Sequence, residues 1–140
     1  MVIVDTGVLY ALADRRDAHH AACLRWLISA RPPLLVPPLV VAEACYLIGG
    51  HLGHEAEAAF LDGLKPGGSF APAELLPADL ARMAVLVRRY AELRLGGTDA
   101  SVVALAERLG VDQVATVDRR HFSVVRPAHV DALTLLPVEL

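Results

Sequence analysis

The chain has 140 residues, 55% hydrophobic and only 5% aromatic, and carries a formal net charge of −3 at pH 7. That length suits one domain spanning residues 1–140, able to bury about two-thirds of its unfolded surface, and the charge excludes a strongly basic nucleic-acid binder. A membrane span is excluded too, because the most apolar stretch, Leu34 to Ile48, carries Pro37, Pro38 and Glu43 and falls short of the roughly 20 residues required.

Met1–Val4 reads as a short buried strand, and Gly7–Ala13 as a helix that Asp5 or Thr6 could cap. Asp17 is placed to cap a second helix, Ala18–Ala30, which Pro32-Pro33 stops. Leu34–Val36 is the second strand. Pro38 opens a third helix at the first-turn position that tolerates proline, and Gly49-Gly50 is expected to end it. His54–Leu64 is a fourth helix. Phe70–Leu76 is a weaker strand, and Pro72, which lacks the donor a ladder needs, assigns it to a sheet edge. Pro77 and Asp79 start a long helix to about Leu95. Thr98 is expected to cap the next, which runs to Leu109 and ends at Gly110. Gln113–Val117 is an internal strand, Ser123–Arg126 a short last one, and Leu133–Leu136 a possible further extended piece. Strands alternating with helices imply an α/β fold, with a parallel sheet covered by helices on both faces.

Four acids sit awkwardly in this pattern. Asp5 closes the first strand, Glu43 interrupts an apolar helical run, Asp99 opens a helix, and Asp118 follows the strand ending at Val117. In parallel sheets, ligands gather beyond the C-terminal ends of the strands; Asp5 and Asp118 belong on that edge, whereas Asp112 precedes a strand and belongs on the other. Asp5, Asp99 and Asp118 also have bland explanations, as a cap, a helix-dipole partner and a turn former. Glu43 is flanked by Leu39, Val40, Ala44, Leu47 and Ile48, with no Lys or Arg between Arg31 and Lys65. It is therefore expected on a buried face, where a lone carboxylate needs a partner or a metal. Two carboxylates about 4 Å apart repel by about 4 kcal/mol at an effective dielectric near 20. Four together need protons or hard cations such as Mg²⁺ or Mn²⁺.

The basic residues add a second hint: of 13, all but Lys65 are Arg, whose planar fork matches phosphate. Arg119 and Arg120, just after Asp118, are candidates to steer a nucleic-acid backbone. His121 is the weaker candidate for a substrate contact, and His19-His20 reads as a packing or solvated pair. Cys23 and Cys45 lack metal-ligand spacing and read as thiols of a reducing cytoplasm.

The pieces Val2-Ile-Val-Asp5-Thr6, Glu43, Thr98-Asp99-Ala100 and Ala115-Thr116-Val-Asp118-Arg-Arg-His-Phe122 together resemble the PIN-domain ribonucleases, especially bacterial toxins of the VapC type. The resemblance covers essentially the whole chain. It implies a three-layer α/β/α fold with strand order 3-2-1-4-5, and Mg²⁺- or Mn²⁺-dependent endonucleolytic cleavage of RNA. It casts Asp5, Glu43, Asp99 and Asp118 as catalytic acids, with Asp5, Asp99 and Asp118 holding metal. Thr6 and Thr116 would orient carboxylates or water. A homodimer neutralised by a cognate antitoxin, without a membrane, is the implied state. Gly7 departs from the Ser or Asn often found there. Rival readings fit less well. A haloacid-dehalogenase-like phosphatase wants a second Asp where Gly7 stands, and a phosphoacceptor receiver domain wants paired acids and a late lysine. A PIN scaffold that binds without cleaving is the remaining alternative.

Overall fold

The computed structural model describes residues 1–140. Five strands form one parallel sheet: β1 (Val2–Val4), β2 (Leu34–Val36), β3 (Phe70–Pro72), β4 (Gln113–Ala115) and β5 (Thr134–Leu136). Their order is β3-β2-β1-β4-β5. Seven helices accompany them: α1 (Thr6–Ala13), α2 (His20–Ser29), α3 (Pro38–Leu52), α4 (His54–Gly63), α5 (Pro77–Arg89), α6 (Gly97–Leu109) and α7 (Arg119–Val124). This is the three-layer α/β/α arrangement expected, with β3 and its Pro72 at an edge.

The centre of the sheet explains itself. Ile3 pairs with Leu35 on one side and Val114 on the other, and Val2, Ile3 and Val4 are all buried. A strand covered on both faces wants an unbroken apolar run, and this one has it. Because every strand points the same way, Asp5 after β1 and the segment after β4 emerge on one edge.

Several boundaries differ from the sequence expectation. Gly49-Gly50 does not end α3, which continues to Leu52 and stops at Gly53, where φ is +95°. Each glycine costs the helix about 1 kcal/mol, yet Val40, Ala44 and Ile48 anchor it in the core. A Cβ on Gly49 would stand 2.3 Å from Glu57 Oε1, the movable end of a long side chain on α4. β3 ends at Pro72, well before Leu76. α5 ends at Arg89, and the chain then turns through Arg94, the only non-glycine residue with positive φ, at +58°. α6 begins at Gly97 with Gly96 as its cap, so Thr98 does not cap it. α2 begins at His20, not Ala18; Asp17 instead accepts the His19 N–H, at 2.8 Å.

The largest revision concerns the C-terminal region. Ser123–Arg126 is not a strand: residues 119–124 are helical, because Asp118 Oδ1 accepts the His121 N–H at 3.2 Å and Phe122 fills the core. The sheet's fifth place goes to Thr134–Leu136.

α5 and α6 are clamped by two ion pairs. Arg108 Nε reaches Asp79 at 2.9 Å, and Arg82 Nε reaches Glu107 at 2.8 Å. Asp79 also accepts the Leu76 N–H at 2.8 Å, closing the start of α5. These contacts fix the helix that carries Asp99.

Candidate active site

Asp5, Glu43, Asp99 and Asp118 line one cleft of about 400 Å³ at the C-terminal edge of β1, together with Thr6, Arg94 and Leu47. Four different elements deliver the acids. None of them forms an ion pair with an arginine or lysine; the side chain paired with acids of the cluster is His121, beside Asp99 and Asp118.

Asp5 is buried, and it caps α1 by position only, since its side chain makes no cap hydrogen bond. Its Oδ2 instead accepts the Thr116 hydroxyl at 2.9 Å. The same Thr116 oxygen accepts the Asp118 N–H, also at 2.9 Å. One buried hydroxyl therefore ties the end of β1 to the turn after β4 and fixes two acids relative to each other. Burial pushes the Asp5 carboxyl up to about 6; the Thr6 N–H and Thr116 hydroxyl oppose this, and the Asp99 and Glu43 charges add to it. Thr6 is buried with its Oγ1 unpartnered.

Asp99 lies in the first turn of α6, where the dipole favours an anion. Its carboxyl is nevertheless raised, chiefly by burial, with His121 opposing and Asp118 and Glu43 contributing. Asp118 caps α7 with Oδ1, so the bland role expected of it is real but occupies only one of its oxygens.

One site expectation is corrected by the geometry. Glu43 is not on the buried face of α3: it is exposed. Val40, Ala44 and Ile48 take the buried stripe at helical spacing, which leaves Glu43 on the flank facing the cleft. The energetic argument for a buried lone carboxylate therefore belongs to Asp5. Arg119 and Arg120 stand apart from the four acids. The Arg119 guanidinium donates to the Pro137 carbonyl, and neither it nor the exposed Arg120 lines the cleft. Desolvation lowers the Arg119 pKa, as befits a group tied to the C-terminal segment.

Two residues were undervalued in the sequence. His121 Nδ1 lies 3.0 Å from Asp99 Oδ2 and 2.8 Å from Asp118 Oδ2; its i,i+3 spacing from Asp118 on a helical turn was the available signal. Arg94 is the cleft's cation, and no local pattern marks it, because its position depends on a left-handed turn.

The donor set fits a divalent cation. Carboxylate oxygens such as those lining the cleft would suit a hard ion; the side chains whose ligand atoms lie within 4.8 Å of one another are Asp99, Asp118 and His121, and Asp5 is not among them. A parallel sheet with an acidic cleft at its carboxyl edge defines a class, and comparison with known sequences agrees: the PIN domain family matches residues 2–126, and the chain belongs to that family. Within it, the chain is 38% identical to Ribonuclease VapC26 of Mycobacterium tuberculosis (strain ATCC 25618 / H37Rv) over 136 residues, covering 97% of this chain and all of that one. Among solved structures, Mycobacterium tuberculosis VapC20, described as a Sarcin-Ricin loop cleaving toxin, superposes with a TM-score of 0.76 at 20% identity, over 81% of this chain and 87% of the other. PAE2754 from Pyrobaculum aerophilum gives 0.55 at 24% identity, over 96% and 87%. At those identities, the two structures speak for the fold alone.

Proposed function

We propose that this chain is a metal-dependent endoribonuclease that hydrolyses RNA phosphodiester bonds as the VapC-type toxin of a toxin–antitoxin pair. The observation that carries the reading is the convergence of four carboxylates from four elements on one cleft without an arginine partner. Asp5, Asp99 and Asp118 hold Mg²⁺ or Mn²⁺. When bound, the ion supplies charge neutralisation at the scissile phosphate and a lowered pKa for an attacking water.

The chain's own groups do the rest. The Thr116 hydroxyl holds Asp5 and the Asp118 backbone in register, so the acids need no rearrangement before substrate arrives. Glu43, exposed on the wall of the cleft, accepts the proton from water. Arg94 meets a phosphate of the RNA backbone, the role the sequence had suggested for Arg119 and Arg120. Thr6, buried with a free hydroxyl, orients a carboxylate or a water molecule. The working form is a cytoplasmic homodimer of one-domain chains, restrained by a cognate antitoxin. No helix is long and apolar enough to cross a membrane.

The test is cleavage of mixed cellular RNA by purified, antitoxin-free protein with Mg²⁺ or Mn²⁺ and with chelator. Metal-dependent cleavage that Asp5→Asn abolishes is expected. No cleavage by the unaltered protein would leave a scaffold that only binds.

A further inference from the structure

We propose that His121 is itself a metal ligand: its Nδ1 joins Asp99 Oδ2 and Asp118 Oδ2 on the ion, giving a mixed nitrogen–oxygen site that selects Mn²⁺ over Mg²⁺. The inference deepens the metal-dependent reading above and rests on it.

Three observations converge. The first is spacing. Neighbouring ligands on an octahedral ion with bonds of about 2.1 Å stand about 3.0 Å apart, and His121 Nδ1 lies 3.0 Å and 2.8 Å from the two carboxylate oxygens. Hydrogen bonds share that range, and the second observation bears on the difference. Nδ1 is shielded from solvent and makes no hydrogen bond of good angle, although both carboxylate oxygens stand within ion-pair distance. The third is preorganisation. Asp118 spends Oδ1 on the His121 N–H at the start of α7, which leaves Oδ2 beside the ring three residues on. Asp118 and His121 are thus fixed on one helical turn, and Asp99 closes the set from α6.

The chemistry follows from ligand type. Mg²⁺ favours all-oxygen surroundings and gives up water reluctantly. Imidazole favours the first-row transition ions, for which the Irving–Williams order starts at Mn²⁺. One nitrogen among carboxylates therefore tilts the site toward Mn²⁺ while leaving it able to accept Mg²⁺.

Mn²⁺ titrated into metal-free protein and followed by pulsed electron paramagnetic resonance tests this without recourse to cleavage. Bound Mn²⁺ is expected to show nitrogen modulation that changes when the protein carries ¹⁵N-histidine, a control that needs no altered fold. His121→Asn should abolish the modulation and cut the ratio of Mn²⁺ to Mg²⁺ affinity at least about tenfold, the smaller loss typical even of groups that only support a ligand. Mn²⁺ bound without nitrogen modulation would overturn the inference while the nuclease reading survives, with His121 a charged support for two acids. Modulation persisting in His121→Asn would overturn it in favour of another histidine. No Mn²⁺ binding by the unaltered protein would sink the metal-dependent reading itself.

Discussion

Replacing Asp5 by asparagine should destroy cleavage and yet stabilise the metal-free protein. The Asp5 carboxyl is pushed up to about 6 in the fold from an ordinary value of 3.8, mainly because it is buried. The folded protein therefore binds a proton that the unfolded chain has already released between these two values. Stability linked to protonated Asp5 is fully present below about pH 3.8 and is lost as the pH rises through about 6. The separation of about two pH units corresponds to about 3 kcal/mol, missing from the metal-free protein at pH 7.5. Asparagine cannot ionise, and its carbonyl oxygen can still accept the Thr116 hydroxyl. In chelator at pH 7.5, Asp5→Asn should thus melt about 10 °C higher, at roughly 3 °C per kcal/mol for a domain of this size.

Two controls make the reasoning exposed to failure. Near pH 4 the gap should nearly vanish, since both proteins are then neutral at this position. Divalent ion at about 100 times its Kd should raise the unaltered protein by about 2.7 kcal/mol, closing the gap at pH 7.5, and should leave Asp5→Asn almost unmoved. Thermal melts followed by circular dichroism from pH 4 to 8, with chelator and with Mn²⁺, read all of this. An asparagine variant no more stable than its parent at pH 7.5 in chelator, or a gap independent of pH, would refute the assignment of strain to this carboxylate.

Arg94→Gly should leave stability unchanged or slightly raised, because a left-handed φ of +58° costs a non-glycine residue roughly 1 kcal/mol. RNA affinity should nevertheless fall, with a salt dependence shallower by about 0.7 on logarithmic axes; filter binding across a salt series that returned the original slope would remove Arg94 from the RNA path. Arg108→Ala strips the counter-charge from buried Asp79 and should cost about 3 kcal/mol, measured by urea unfolding, without changing cleavage per folded molecule. Gly7→Ser should destabilise by about 1–3 kcal/mol, since a Cβ there would stand 2.3 Å from Val117 Cγ2. Adding Val117→Ala should recover most of that loss, and a double variant as unstable as the single one would show the clash to be irrelevant.

The sequence revealed those parts of the fold in which local pattern and tertiary packing agree. Val2–Val4 has the unbroken apolar run of a central parallel strand, and Pro72 cannot serve an interior one; both lie where that chemistry puts them. The failures came where long-range packing overrode a local signal. Gly49-Gly50 looks like a stop, yet Val40, Ala44 and Ile48 anchor the helix in the core and it runs on to Leu52. Ser123–Arg126 reads as a short strand until Asp118 is seen to start a helix that buries Phe122. The same division holds in the site. All four acids meet in the cleft, but the physical argument offered for Glu43 was wrong, because neighbours in sequence do not fix which side of a helix faces the core. Arg119, next to an active-site acid in sequence, is drawn off by the Pro137 carbonyl, whereas Arg94 arrives only through a backbone turn that no composition encodes.

Chemistry and stability occupy opposite ends of α6. Asp99 lies in its first turn, beside the other acids, while Glu107 and Arg108 sit in its last and carry the ion pairs to α5. Asp99 and Arg108 are nine positions apart on the helix, about 13 Å along the axis. Asp5 and Asp99, whose burial opposes ionisation, weaken the fold that holds them, and a sheet of three-residue strands offers little reserve. Fastening α6 at the end remote from the cleft supplies that reserve, and neither arginine of the clamp, Arg82 or Arg108, lines the cleft. The arrangement explains why buried Asp79 has an arginine and buried Asp5 has none: the former must be held, and the latter must stay available.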